Sequence, residues 1–249
     1  MKSGVLLVHN EQKYLPYSLN SLTEANLDEL IIVLDRCTDK SEEIIRHFQP
    51  NYKIKIFRKD WAYWNNPIAE VAEFGFSKAT KDIIFGLGGD IFFDKTMFDP
   101  KFFVDNDMVG FSYLNRDLNT STIRLCYESF LKNTFRKIDL KHEVWRGGIF
   151  GTKRKIWQKL HFRDIPSQYG EHTQFFDFKQ RLLEHGGKYC YVEITKNLHL
   201  RDNALRKQNQ LLQGKTRSRI LKHPLWKVVL HSFLHLKPYV LIGYLNENP

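Results

Sequence analysis

Four short apolar runs, one of them interrupted by Lys55 and each closed by polar residues, constrain this chain more than any other feature. They are Val5–Val8, Leu30–Leu34, Ile54–Phe57 and Ile83–Leu87. Short runs rich in branched and aromatic residues and bounded by polar clusters read as buried strands. Between the first two, Leu15, Leu19 and Leu22 recur at helical spacing. After the second, Asp39 and Glu42 stand three apart, the spacing of a capping box that opens a helix. After the third, Pro67 suits the first turn of a helix reaching Ala79. This β-α-β-α-β-α-β order predicts an α/β fold, with parallel strands covered by helices.

Open sheets of that kind bind ligands beyond the carboxyl ends of their strands. Those ends deliver His9, Asn10 and Glu11, then Asp35 and Asp39, then Asp90 in the run Gly88-Gly89-Asp90. Glycines there let a ligand approach the backbone, and a carboxylate just past a buried strand suits a hard cation. Convergence of these six polar residues on one crevice is the main physical expectation.

The bulk numbers narrow the partners. A chain of 249 residues, 42% of them hydrophobic, supports one large domain or two small ones. Cys37, Cys126 and Cys190 are odd in number and far apart, which predicts a reducing, cytoplasmic setting. No secretory leader precedes Val5, and no uninterrupted apolar run reaches the length of about 18 residues that a membrane span needs. The net charge of +10 allows nucleic acid, anionic membrane or phosphate-bearing substrates. Zinc-finger, helix-turn-helix and RNP patterns are missing, as are a Gly-rich phosphate loop with Lys and a G-x-G-x-x-G after the first strand. Nucleic acid and dinucleotides are thereby disfavoured.

The second half is less regular. Met108–Tyr113 and Tyr189–Val192 read as strands and Lys153–Leu160 as a helix. A further helix follows Glu171-His172 and runs to Glu184, closed by Gly186-Gly187. Lys215, Arg217, Arg219 and Lys222 then make a basic stretch. Leu225, Trp226, Val229, Leu230, Phe233 and Leu234 make a wide apolar helix face, before Pro238 breaks the helix. Two readings of this tail stay open: a helix docked on the domain, or an interfacial helix on an anionic membrane. The expected division is a catalytic domain over 1–214 and a basic, amphipathic helical extension over 215–249.

Taken in order, these motifs resemble the family 2 glycosyltransferases of the GT-A fold, which use nucleotide sugars. His9-Asn10-Glu11 is similar to the family's first strand end, and Asp35 to Asp39 to its Asp-x-x-x-Asp nucleotide loop. The run Ala79 to Asp90 resembles the approach to its metal-binding acidic motif. Gly147-Gly148 with Lys153-Arg154 resembles the acceptor-side segment, Glu171 the Glu-Asp base motif, and His199 a late histidine offered to the metal. Gly88, His172 and Glu73-Phe74 depart from that pattern, standing where the family usually has Asp, Asp and Arg-Asn.

The resemblance implies a Rossmann-like, mostly parallel sheet and inverting transfer of a sugar to a hydroxyl. It implies Mn²⁺ or Mg²⁺ on Asp90 and His199. A nucleotide-diphosphate sugar, a UDP-sugar by default, would lie against His9, Asn10, Glu11, Asp35, Asp39 and Arg201. Glu171 or His172 would be the base, and the acceptor a glycan or a lipid-linked hydroxyl. The departures leave an inactive glycosyltransferase-like scaffold as one alternative, and the charge leaves a basic nucleic-acid-binding protein as another.

Overall fold

The computed structural model describes residues 1–115, 149–165, 173–194, 196–201, 207–219, 224–234 and 237–246. The first half alternates as expected: β1 (Lys2–Val8), α1 (Leu15–Leu22), β2 (Glu29–Asp35), α2 (Ser41–Arg46), β3 (Lys53–Lys59), α3 (Pro67–Lys78) and β4 (Ile83–Gly88). Beyond it lie β5 (Ile91–Phe92), β6 (Met108–Phe111), β7 (Leu114–Asn115), β8 (Phe150–Lys153), α4 (Arg154–Leu160), α5 (Thr173–Glu184), β9 (Tyr189–Val192) and β10 (Leu198–His199). Three helices end the described chain: α6 (Lys207–Arg219), α7 (Leu225–Leu234) and α8 (Pro238–Leu245).

The principal sheet has seven strands in the order β3-β2-β1-β4-β8-β6-β9. Strands β3, β2, β1 and β4 are parallel, and only β8 runs against its neighbours. Strand order reverses between β1 and β4. Such a switch point leaves a crevice, because the loops after the two strands leave in opposite directions. A small sheet, β5-β10-β7, stands beside it.

Alternation along each strand splits the core in two. Leu6, Val8, Ile32 and Leu34 pack toward α1 and α2, while Val5, Ile31 and Val33 pack toward α3, α4 and α5. Both faces are therefore covered, which is why these strands read as unbroken apolar runs. On the second face Phe150 stacks on Phe76, with ring centroids 5.5 Å apart. A Cβ on Gly86 would press into the Phe150 ring, 2.9 Å from Cζ and 3.0 Å from Cδ1. Gly86→Ala is expected to cost about 1–3 kcal/mol, read as a lowered urea midpoint with an unchanged slope.

One helix start differs from the sequence expectation. α2 begins at Ser41, and no capping box forms. Asp39 instead accepts from the backbone N–H of Ser41 and of Gln12, each at 2.9 Å, and so ties the loop after β2 to the loop after β1. Glu42 turns away to Arg46 and Arg58. The expected cap of α5 does form: Gly186 adopts a φ of 73° and the Gly187 N–H bonds the Leu182 carbonyl at 2.9 Å.

Candidate active site

The crevice at the switch point is built from four loops. β1 ends at Val8 and hands over to His9, Asn10 and Glu11; β4 ends at Gly88 and hands over to Gly89 and Asp90. The two ends are held together, since the Gly89 N–H bonds the Leu7 carbonyl at 3.1 Å. A Cβ on Gly89 would lie 3.0 Å from Glu11 Cγ and 3.3 Å from the Leu7 oxygen, so glycine lets the two ends meet without either giving way.

Asp90 meets the late histidine. β10 pairs antiparallel with β5, setting His199 opposite Ile91, and the Leu200 N–H bonds the Asp90 carbonyl at 2.9 Å. That register brings His199 Nε2 to 3.2 Å from Asp90 Oδ2. The Tyr113 ring lies 5.2 Å from the imidazole. Arg201 completes the group. Its Nη2 pairs with the Glu11 carboxylate, its Nε lies 3.5 Å from Asp90 Oδ2, and its guanidinium sits 5.3 Å over the Tyr14 ring.

These charges set one another. Burial, and then the charge on Asp90, push the Glu11 carboxyl up to about 7 against the pull of Arg201. Burial also acts to raise Asp90, but the hydrogen bond and charge of His199 and the charge of Arg201 outweigh it and hold Asp90 below the ordinary carboxylate range. At neutral pH the centre thus pairs an ionised Asp90 with a partly protonated Glu11.

The Asp90–His199 pair fits a divalent ion. Adjacent ligands on an octahedral ion at about 2.1 Å lie about 3 Å apart, close to the 3.2 Å seen here. Imidazole nitrogen favours a transition ion such as Mn²⁺ over Mg²⁺. Among the described residues no group of three or more His, Cys, Asp or Glu side chains is arranged to hold a metal. An ion here would therefore complete its shell from water or from a bound anion.

The other expected residues fall at the crevice rim. His9 Nδ1 lies 2.6 Å from the Asp35 carbonyl oxygen. Asn10, with a φ of 54°, accepts from the Thr38 N–H at 2.8 Å. The Asp35 carboxylate is gripped by its own neighbour: Arg36 donates from Nε at 3.0 Å and from Nη2 at 2.7 Å. Glu171 and His172 lie outside the described residues, as do Gly147 and Gly148.

Sequence reasoning missed Arg36, Tyr14 and a buried pair beside the Asp35 loop. Arg36 reaches back only because its φ is 47°, in the left-handed region; successive residues of a strand otherwise point apart. Lys59, 1% exposed at the end of β3, lies 3.4 Å from Glu70. β3 carries four basic residues, Lys53, Lys55, Arg58 and Lys59, so nothing in the sequence singled out the buried one.

Sheet order, switch-point crevice and an acidic–histidine centre are together those of a glycosyltransferase of the GT-A fold. The chain belongs to glycosyl transferase family 2, whose model, Glycosyl transferase family 2, matches residues 3–164. Among solved structures it is similar to a mannosyltransferase, PcManGT, from Pyrobaculum calidifontis in complex with GDP-Man and Mn²⁺. That likeness has a TM-score of 0.65 at 13% identity, over 99% of this chain and 73% of the other. It is also similar to glucosyl-3-phosphoglycerate synthase of M. tuberculosis, with a TM-score of 0.58 at 14% identity, over 89% of this chain and 80% of the other. At such identities the likeness is one of fold. Among curated proteins no relative matches.

Proposed function

We propose that this enzyme moves a sugar from a nucleotide-diphosphate sugar to a hydroxyl acceptor, with a divalent ion at Asp90 and His199 and with inversion at the anomeric carbon. The observation that carries the reading is the 3.2 Å approach of His199 to Asp90 at the switch point. The fold neighbours point the same way: PcManGT is in complex with GDP-Man and Mn²⁺, and the M. tuberculosis synthase is in complex with Mn²⁺, UDP-Glc and phosphoglyceric acid. When bound, the ion would act as a Lewis acid toward the departing diphosphate.

The chain's own groups would do the rest. Arg201, held between Glu11 and Asp90, would turn its remaining N–H donors to a phosphate. His9, Asn10, Asp35 and Asp39 shape the rim that the nucleoside would occupy, with Arg36 fixing the Asp35 carboxylate. Glu171 or His172 would take the acceptor proton. The catalytic domain spans 1–214 and the helical extension 215–249. The acceptor is a glycan or a lipid-linked hydroxyl, reached by an enzyme of the cytoplasm that rests on the membrane surface.

Calorimetry with UDP and with GDP, in Mn²⁺ and in EDTA, tests the donor site. Metal-strengthened binding of one nucleotide is expected, and His199→Ala should lose the metal increment while keeping the weak metal-free binding. Equal binding in Mn²⁺ and EDTA by the wild type would sink the metal assignment. No binding of either nucleotide would sink the donor site.

A further inference from the structure

Helix α7 is turned inside out. Leu225, Trp226, Val229 and Phe233 are exposed by 47, 60, 44 and 77%, whereas Val228, His231 and Ser232 are buried. At 3.6 residues per turn the four exposed side chains fall within an arc of about 100°. A helix on a water-facing surface places its apolar stripe inward and its polar residues outward. On α8 the side chains of Ile242 and Leu245 are exposed as well.

Backbone packing joins α6 to α8. A Cβ on Gly214 of α6 would collide with the Val240 carbonyl of α8, and one on Gly243 of α8 with the Leu211 carbonyl of α6. Two helices that meet glycine against backbone lock their mutual rotation. Beside this locked pair α7 turns Val228, His231 and Ser232 inward, which leaves its apolar stripe outward.

Charge singles out what covers it. Residues 203–246 contain eight lysines and arginines and no aspartate or glutamate; Arg217 and Lys237 are buried in the tail, whereas Lys207 is exposed and Lys227 half-buried. A second copy docking face to face would oppose two such stretches. Nucleic acid would meet the charge but leave Leu225 and Val229 in water. An anionic bilayer satisfies both features, with phosphate at the head groups and hydrocarbon just beneath. Trp226, with Lys227 Nζ 5.9 Å from its ring centroid, is the pair that favours that boundary.

We propose that α7, with the outer face of α8, docks flat on an anionic lipid surface, seating Leu225, Trp226, Val229 and Phe233 below the head groups while Lys227, beside Trp226, meets their phosphates. Among the described residues no helix is long and apolar enough to cross a membrane, which agrees with lying on it. This gives the membrane contact proposed above a named surface. Its test uses neither donor nor acceptor, so the two readings fail separately.

The full chain is mixed with vesicles of phosphatidylcholine, with or without phosphatidylglycerol, and sedimented. Sedimentation with the anionic vesicles roughly tenfold above the neutral ones is expected, with tryptophan emission quenched by brominated acyl chains. Trp226→Phe should lose most of that quench. Val229→Glu with Phe233→Glu should cut vesicle binding by roughly tenfold or more, leaving the melting temperature and nucleotide binding unchanged. Should that double variant misfold, the quench compared between wild type and Trp226→Phe decides alone. The proposal is overturned if the wild type stays in the supernatant, or if it binds without any quench from the acyl chains. It is overturned equally if it forms a dimer that the double variant dissolves, which would make the stripe a self-interface.

Discussion

Asp90→Asn is expected to lower sugar transfer by about a thousandfold or more and to erase the effect of Mn²⁺ on nucleotide binding. Asparagine keeps the shape of the side chain and leaves the bond from the Leu200 N–H to the residue 90 carbonyl in place. What it removes is charge. Among the described residues Asp90 is the anion that faces both His199 and Arg201, at 3.2 Å and 3.5 Å. With an amide there, a bound ion would lose its anionic ligand, and His199 and Arg201 would lose their common anchor. The measurements are release of nucleotide diphosphate during transfer and a Mn²⁺ titration of nucleotide affinity, with circular dichroism to show that the variant is folded. A loss under about tenfold would mean that the ion is held elsewhere.

The strands that make the crevice, β1, β2 and β4, were legible because they are buried on both faces. Burial on both faces removes alternation and leaves plain apolar runs, and each run ends where the ligand side begins. His9, Glu11, Asp35 and Asp90 were found by that rule alone. The small sheet was not legible, because β5, β7 and β10 are two residues each and carry no periodicity. Nor was the state of Glu11 legible. It depends on Asp90, which no local pattern brings near it, and on burial that only the closed crevice creates. Arg36 shows a third limit: its grip on Asp35 depends on one left-handed backbone angle. In the tail the sequence showed an apolar stripe but not which way it faces. A helical wheel is blind to direction, and only the burial of Val228, His231 and Ser232 in the folded tail shows that the stripe faces outward.

Glu29→Gln is expected to cost on the order of 3 kcal/mol, lowering the melting temperature by about 10 °C. Glu29 begins β2 at the end of the sheet opposite the crevice and is 1% exposed. One oxygen accepts from Ser3 Oγ at 2.7 Å, from the Thr80 N–H at 2.7 Å and from Thr80 Oγ1 at 2.8 Å. The other accepts from Lys55 Nζ at 2.8 Å. One carboxylate so joins β1, β2, β3 and the turn before β4. Glutamine can keep the first set of bonds, but it turns an amide donor toward the Lys55 ammonium and leaves that charge unpaired. The pH dependence has a definite sign. Burial acts to raise the Glu29 carboxyl, but Lys55, Thr80 and Ser3 outweigh it and bring it from 4.5 down to about 2. A group lowered on folding stabilises fully above its unfolded value and loses that contribution as pH falls through its folded value. The advantage of wild type over Glu29→Gln should therefore hold at about pH 6 and shrink between about pH 4.5 and pH 2. Urea midpoints of the two proteins across that window measure it, and the difference between them cancels the carboxylates they share. A difference that stayed constant with pH would mean that Glu29 acts through its shape alone.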